Sequence, residues 1–498
     1  MIYPLFLEKA QASPNKPFLF HQDEEWTFSQ TLQAVEQVAV LLDSYGVETG
    51  AHVAVLMGNS PLFIFTWMAI AKKGAVMVPL HTGLNKTQLE YIATQSESCM
   101  VVCDTAFYQA LNDMHFDTVP FLNLTDAFKS FSRDSDAAPP LSPAAAVPAS
   151  APAAILYTSG TTSSPKGVVI SHQCYLESGF DMVKVLGLTS EDRMYVFLPL
   201  FHANPQMYGY MASLCAGASI AIDQKFSASR FWDTVRRYKV TCFTYVGTVL
   251  AILSKEAGTT DHQVTRCVGG GAPKLVWEAI ESKFGLKVME LYGMTELGGF
   301  TTSNSISMYK RFSVGKPRST MQVAIVDRQD RILDAYQHGE IVVRPNAPHV
   351  IFEEYYKAPQ QTLMSLRTLW FHTGDVGYLD DEGYLYFVGR LKEIIRCRGE
   401  NISPYEIETV LMKHPHILDV AAVGVADEVA EEEIKLCVKT DGSVTPMEVY
   451  DFCQKQLPAF MWPRYIEAMN EIPKTATQKV ERYKLQYVNE RVLDVKEP

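Results

Sequence analysis

The chain has 498 residues, 47% of them hydrophobic and 20% charged, a balance that excludes a disordered chain and leaves room for more than one hydrophobic core. A formal net charge of −12 excludes a broad basic face for nucleic acid but still allows the few local cations that a bound nucleotide requires. Nine cysteines are dispersed, and no second pair or histidine cluster accompanies Cys99 and Cys103, so the thiols read as core packing in a reducing compartment and not as a zinc site.

The opening MIYPLFLEKAQASPNKP has no basic lead, no long apolar stretch and no small-residue cleavage site, and does not read as a signal peptide. The cytoplasm is the expected location. Residues 27–45 carry apolar positions at helical spacing, with Thr27 placed to cap the start. The most apolar stretch, 61–80, is broken by Lys72, Lys73 and Gly74 and predicts a buried helix followed by a strand, not a membrane span. Short apolar runs at 52–57, 75–79, 100–103, 218–222, 240–245 and 265–269 alternate with helical stretches, the pattern of a parallel α/β sheet. Residues 137–154, rich in Ala, Pro and Ser, read as an exposed, mobile connector. From about 320 the texture changes to QVAIVD, GEIVVR and GYLYFVGR, short strands of a β-rich subdomain. Beyond 390 a compact α+β segment has its own apolar runs at 420–425 and 434–438. The expected architecture is α/β: a large N-terminal domain, 1–390, of mixed and parallel sheets with helices and the β-rich subdomain, and a small α+β domain, 391–498.

Residues 155–171 read ILYTSGTTSSPKGVVIS. Apolar runs on both sides predict two strands joined by a polar loop. Seven consecutive small residues, 158–164, offer hydroxyls and open backbone N–H groups, and Lys166 adds a cation, the lining that polyphosphate needs. The loop does not fit the G-x-x-x-x-G-K-[ST] pattern. YTSGTTSSPKG resembles the phosphate-loop signature of the adenylate-forming superfamily of acyl-CoA synthetases, luciferases and peptide-synthetase adenylation domains. Five further strings, in that family's order, accompany it.

LPLFH, 198–202, resembles the segment whose aromatic residue closes the carboxylate pocket, a place His202 would take. Read alone, such a histidine is an ordinary structural residue. Amino-acid-activating members usually carry a carboxylate there, so His202 counts against an α-amino acid. CVGGGAPK, 267–274, places three glycines after a strand, as close backbone approach to a flat ligand requires. The resemblance puts adenine and the acyl pocket against Gly270, Gly271 and Ala272. LYGMTELGG, 291–299, implies Tyr292 and Gly293 against adenine, Thr295 at the α-phosphate and Glu296 as the Mg²⁺ ligand, a hard cation on carboxylate oxygen.

HTGDVGYLDDEGYLYFVGRLKE, 372–393, implies Asp375 as acceptor of both ribose hydroxyls, Arg390 as a second ribose contact and Lys392 as an interdomain hinge. By itself, 380–383 reads as a hairpin turn. RGENISPYEIE, 398–408, resembles the loop that builds the thiol tunnel, with Arg398 and Gly399 at the cofactor. The same string reads as a helix start with Ser403 as cap. IPKTATQKVERYKL, 472–485, resembles the catalytic-lysine segment, with Lys479 bridging the substrate carboxylate and the α-phosphate, although Gln478 stands where most members have glycine.

The resemblance implies an AMP-forming acid–thiol ligase. ATP, Mg²⁺ and coenzyme A would be its cofactors, and Thr158, Ser159, Gly160, Thr161, Thr162 and Lys166 would grip the β- and γ-phosphates. Its partners would be small molecules, among them a carboxylic acid, with no nucleic acid and no transmembrane segment, and a homodimer is compatible. LPLFHANPQ, KFSASRFW and RGENIS resemble crotonobetaine/carnitine-type CoA ligases, whose quaternary ammonium would want an aromatic box. Phe201, Tyr208, Trp232 and Tyr245 are candidates for it. Alternatives are an enzyme that loads an acyl group onto a carrier-protein thiol, a luciferase-like oxidase, and a nucleotide-binding regulator with degraded chemistry.

Overall fold

The computed structural model describes residues 1–134, 141–158, 165–397, 400–427, 430–474, 480–490 and 492–495. Contacts divide the chain into two units: 1–322 with 344–370, and 323–343 with 371–498.

The first unit contains two sheets. One runs, in spatial order, Phe121–Asn123, Ser98–Cys103, His52–Leu56, Val76–Pro79, Pro152–Thr158 and Lys166–Ser171. Its strands are parallel except for the last pair, an antiparallel hairpin whose register sets Thr158 opposite Lys166. The other sheet has nine strands. Lys287–Tyr292, Arg266–Gly270, Cys242–Val246, Arg193–Val196, Ser219–Ile222 and Pro17–His21 are its parallel centre, and antiparallel strands close both edges. The expected alternation of apolar runs and helices is therefore present, as largely buried apolar strands.

Local signals account for many boundaries. Thr27 caps helix Phe28–Ser44 through a reciprocal box with Gln30, Gln30 N donating to Thr27 Oγ1 at 3.1 Å and Thr27 N to Gln30 Oε1 at 2.8 Å. Stretch 61–80 forms helix Pro61–Lys72 and strand Val76–Pro79. Nearly every side chain of that helix is buried, as an all-round apolar sequence demands. Among the described residues, no helix is long and apolar enough to cross a membrane.

The Ala/Pro/Ser stretch departs from expectation. Ser142 N and Oγ both donate to Glu36 Oε2, at 3.3 and 3.4 Å, and Ala145 N donates to Lys72 O at 2.9 Å. Glu36 and Lys72 form a buried ion pair, so residues 141–147 run over a charged anchor and are not a loose connector.

In the second unit, a four-stranded sheet runs Met321–Val326, Gly339–Pro345, Phe371–Leu379, Leu385–Arg390, most of it within that unit. The 380–383 turn is as expected: Asp380 Oδ1 accepts from Glu382 N and Tyr384 N, at 3.0 and 2.8 Å. The remaining sheet is built on the long antiparallel pair Ile417–Asp427 and Glu431–Thr440, with its own core around Ile407, Ile434 and Ile466. Ser403 Oγ donates to Val388 O at 2.6 Å instead of capping helix Pro404–Leu411.

Candidate active site

His202, Gly270–Ala272, Tyr292, Gly293, Thr295 and Glu296 follow the C-terminal ends of parallel strands in the nine-stranded sheet, the edge where open α/β sheets bind ligands, whereas Thr158 and Lys166 lie on the hairpin of the other sheet. Strand Arg266–Gly270 leads into Gly271 and Ala272, and its neighbour Lys287–Tyr292 ends on Tyr292. Two glycines here are required by packing. A Cβ on Gly269 would lie 2.1 Å from Tyr245 O, and one on Gly293 would lie 2.3 Å from both Gly299 O and Phe300 Cα.

A buried carboxyl holds this edge together. Glu290 accepts from Gly271 N and, at 3.0 Å, from Ala272 N through Oε1, and from Tyr245 Oη at 2.5 Å through Oε2. Burial raises its pKa to about 7, and the three hydrogen bonds pull the other way. Asn204 Nδ2 donates to Tyr245 O at 3.1 Å, which connects the segment carrying His202 to the same edge. Asn59 holds that segment from behind, donating to Leu198 O at 2.8 Å and accepting from Leu200 N at 2.7 Å. A fully buried π-helical turn, Pro205–Met211, follows, and its Tyr208 donates to Gly299 O at 2.5 Å. His202 stands beside Phe201, ring centroids 4.4 Å apart, and edge-on to His81 at 5.8 Å. Burial lowers the pKa of His81.

A second cluster forms where strand Lys166–Ser171 meets the 350–356 segment. Phe352 N donates to Glu296 O at 2.8 Å, while Tyr355 bridges to Val168. The Tyr355 hydroxyl donates to Glu296 Oε1 at 2.9 Å, and Lys166 Nζ lies 5.0 Å from the centroid of the same ring. Burial, and then the Glu296 carboxylate, push the tyrosine pKa well up and keep it a donor. Thr295 and Glu296 occupy the short 3₁₀ turn Thr295–Leu297, closed by Gly298 in the left-handed region. Glu296, half-buried and oriented by Tyr355, has the hard oxygen chemistry that Mg²⁺ takes, beside a lysine suited to phosphate.

The second unit places Asp375, 7% exposed, opposite Arg390 in register, with Arg390 Nε 3.6 Å from Asp375 Oδ1. Glu340 shapes the preceding turn, accepting from Gly374 N at 3.1 Å and facing His372 Nδ1 at 2.9 Å. Lys392 is exposed in the turn that follows Leu385–Arg390. Ser159, Gly160, Thr161, Thr162, Arg398, Gly399 and Lys479 lie outside the described residues.

Of the four aromatic candidates, Trp232 stacks on His262 and Phe284, both at 4.5 Å, within the core, and Tyr208 and Tyr245 give their hydroxyls to Gly299 O and Glu290. Tyr355, Glu290 and Asn59 were not expected. Glu290, a lone acid in the apolar strand KVMELY, carried a signal, because a buried carboxylate needs partners.

Residues 6–356 match the family model of AMP-binding enzymes, and residues 406–479 match that of the AMP-binding enzyme C-terminal domain. A crotonobetaine/carnitine–CoA ligase from Citrobacter koseri is 30% identical over 501 residues, covering 95% of this chain and 96% of that protein. Among solved structures, the Bacillus subtilis O-succinylbenzoate coenzyme A synthetase in complex with AMP is 28% identical with a TM-score of 0.87, covering 98% of this chain and 99% of that one. The same synthetase is also solved with ATP and a magnesium ion. The anthranilate CoA ligase AuaEII, in complex with anthranoyl-AMP, is 25% identical with a TM-score of 0.89, covering 97% and 96%. The chain belongs to the AMP-binding, adenylate-forming enzyme family, in its acyl-CoA synthetase branch.

Proposed function

We propose that the chain is an ATP-dependent acyl-CoA ligase, which joins a carboxylic acid to AMP, releases pyrophosphate, and passes the acyl group to the thiol of coenzyme A. The observation that carries this reading is the convergence of Lys166 and Glu296 on one tyrosine, Tyr355. A cation for phosphate oxygens and a carboxylate for a divalent ion are thereby held within one cluster.

A carboxylate resists nucleophiles because it is negative and its oxide is a poor leaving group. Its attack on the α-phosphorus of ATP expels pyrophosphate and leaves a mixed anhydride, from which AMP departs readily when a thiol attacks. Negative charge gathers at the α-phosphate, so catalysis is positioning and electrostatic stabilisation. Lys166 and the loop it closes grip the β- and γ-phosphates, and Thr295 donates to the α-phosphate. Glu296 would hold Mg²⁺, which supplies charge neutralisation to the phosphates. Tyr292 and the Gly270–Ala272 backbone, seated on Glu290, form the adenine and acyl wall. Asp375 and Arg390 take the ribose. Lys479 bridges carboxylate and α-phosphate, and rotation at Lys392 then presents the segment after 397 to the thiol.

His202, in place of a carboxylate, favours an acid without an α-ammonium group. The nine dispersed, mostly buried cysteines support a cytoplasmic location. Pyrophosphate exchange with butyrate, octanoate, benzoate, malonate and crotonobetaine, repeated with and without coenzyme A, tests the reading. Exchange with at least one acid and CoA-dependent thioester from it are expected, and exchange with none would overturn the proposal. Lys479→Ala should abolish exchange and spare thioester formation from supplied acyl-AMP.

A further inference from the structure

The described flanks of the lysine segment are tied down at both ends. Upstream, Lys474 Nζ lies 2.6 Å from Asp419 Oδ2. Lys474 and Val480 form an isolated antiparallel bridge, and Glu481 N donates to Pro473 O at 2.9 Å, closing the base of the segment. Downstream, Arg482 spreads its guanidinium over three elements. Nη1 donates to Glu408 Oε1 at 2.5 Å and to Ala422 O at 2.6 Å, Nη2 to Glu408 Oε2 at 3.1 Å, and Nε to Glu393 Oε2 at 3.2 Å. Glu408 lies on helix Pro404–Leu411, Ala422 on strand Ile417–Asp427, and Glu393 directly follows Lys392. The chain beyond is anchored too. The buried Lys435 donates to Leu485 O at 3.1 Å and Tyr487 O at 2.6 Å, and is paired with Glu467 at 2.6 Å.

Arginine suits this place because its planar fork grips a carboxylate through two bonds while Nε remains for a second acceptor. Lysine can offer a point charge to one carboxylate but cannot reproduce the fork. Arg482 follows Lys479 by three residues, a chain span of at most about 11 Å. Glu393 directly follows Lys392, so the Arg482–Glu393 contact fastens the chain from 480 onward to that turn.

We infer that Arg482 is a positioning residue for adenylate formation, fastening the chain that follows Lys479 to the turn after Lys392 through Glu393 and to helix Pro404–Leu411 through Glu408. The inference rests on the reading of Lys479 given above. A side chain that must reach two charged groups at once loses much of its effect when its support shifts by an ångström, whereas the thiol step does not use Lys479.

The test compares Arg482→Lys, Glu393→Gln, the double variant and Lys479→Ala, using the acid that exchanges fastest in the panel above. Pyrophosphate exchange and thioester formation from that acid's synthetic acyl-AMP are measured on each preparation. Arg482→Lys and Glu393→Gln should lower exchange by about tenfold to about a hundredfold while thioester formation stays within about twofold, and the double variant should resemble the weaker single. An equal fall in both half-reactions would show a merely structural role and overturn the inference, as would unchanged exchange or strictly additive singles. If Lys479→Ala kept full exchange, the reading of the lysine itself would fail, whatever Arg482 did.

Discussion

Tyr355 donates its hydroxyl to Glu296 at 2.9 Å although 59 residues separate them, and Lys166, from a third segment, lies over the same ring. The ring's negative face attracts the ammonium while the hydroxyl orients the carboxylate, so one side chain engages both a cation and an anion. Tyr355 is tied to both proposed phosphate-side residues by geometry rather than by any motif.

Tyr355→Phe keeps the ring under Lys166 and deletes the bond to Glu296. A hydrogen bond to a charged group contributes about 1.5–3 kcal/mol, so pyrophosphate exchange should fall by about tenfold to about a hundredfold at limiting Mg²⁺. The fall should shrink as Mg²⁺ is raised, because the ion itself then orders the carboxylate. A loss of exchange independent of Mg²⁺ across the titration would detach Tyr355 from the metal side of the site.

What could be read from sequence was whatever depends on near neighbours. The Thr27–Gln30 box, the buried helix after Pro61 and the turn at 380–383 each follow from residues within a few positions of one another. Ser403 shows the boundary of such reading. The helix does start where its pattern says, but its hydroxyl goes to Val388 O, a partner visible only after folding. Composition misled at 141–147, because Ser142 finds Glu36 across 106 residues. Tyr355 sits in FEEYY, which has no periodicity to mark it. Trp232 was placed by chemical affinity with a cation, whereas its apolar faces found better partners in Phe284 and His262.

The ion pair under the connector should behave as buried pairs do. Lys72 and Glu36 are 2% and 1% exposed, and Tyr3 Oη also donates to Glu36 at 2.8 Å. Lys72→Met alone strands a carboxylate and should cost about 3–5 kcal/mol. Adding Glu36→Gln removes the charge and keeps an acceptor for Tyr3, so the double variant should be more stable than the single in urea unfolding. The opposite order would mean that Glu36 finds solvent when its partner is gone.

Gly293 and Gly58 offer a paired test of backbone approach. A Cβ at Gly293 would lie 2.3 Å from Gly299 O, but at Gly58 the nearest atom is Asp104 Oδ2 at 3.9 Å. Gly293→Ala should force the 293–300 turn open at a cost of about 1–3 kcal/mol, with a lower melting temperature and a loss of exchange activity. Gly58→Ala should leave both nearly unchanged. Equal melting temperatures would show that the turn yields without strain.

Glu290 predicts a pH dependence with a definite sign. Its pKa stands at about 7 in the folded chain against an ordinary 4.5, raised by burial. Between those values the folded state binds more protons than the unfolded state, so this group's contribution is fully present below about pH 4.5 and is lost as pH rises through about 7. The loss is on the order of 3 kcal/mol. Glu290→Gln cannot ionise and still offers an oxygen to Gly271 N and Ala272 N. Groups common to both proteins titrate alike, so the difference between them isolates Glu290, with Tyr245 and Cys267 as its titratable neighbours. Melting temperatures taken from pH 5 to pH 8.5 should therefore move in favour of the glutamine variant as pH rises, steeply between pH 5 and about 7 and little above that. A gap that stays constant with pH would show that Glu290 keeps one protonation state throughout and that its three donors, not burial, set its charge.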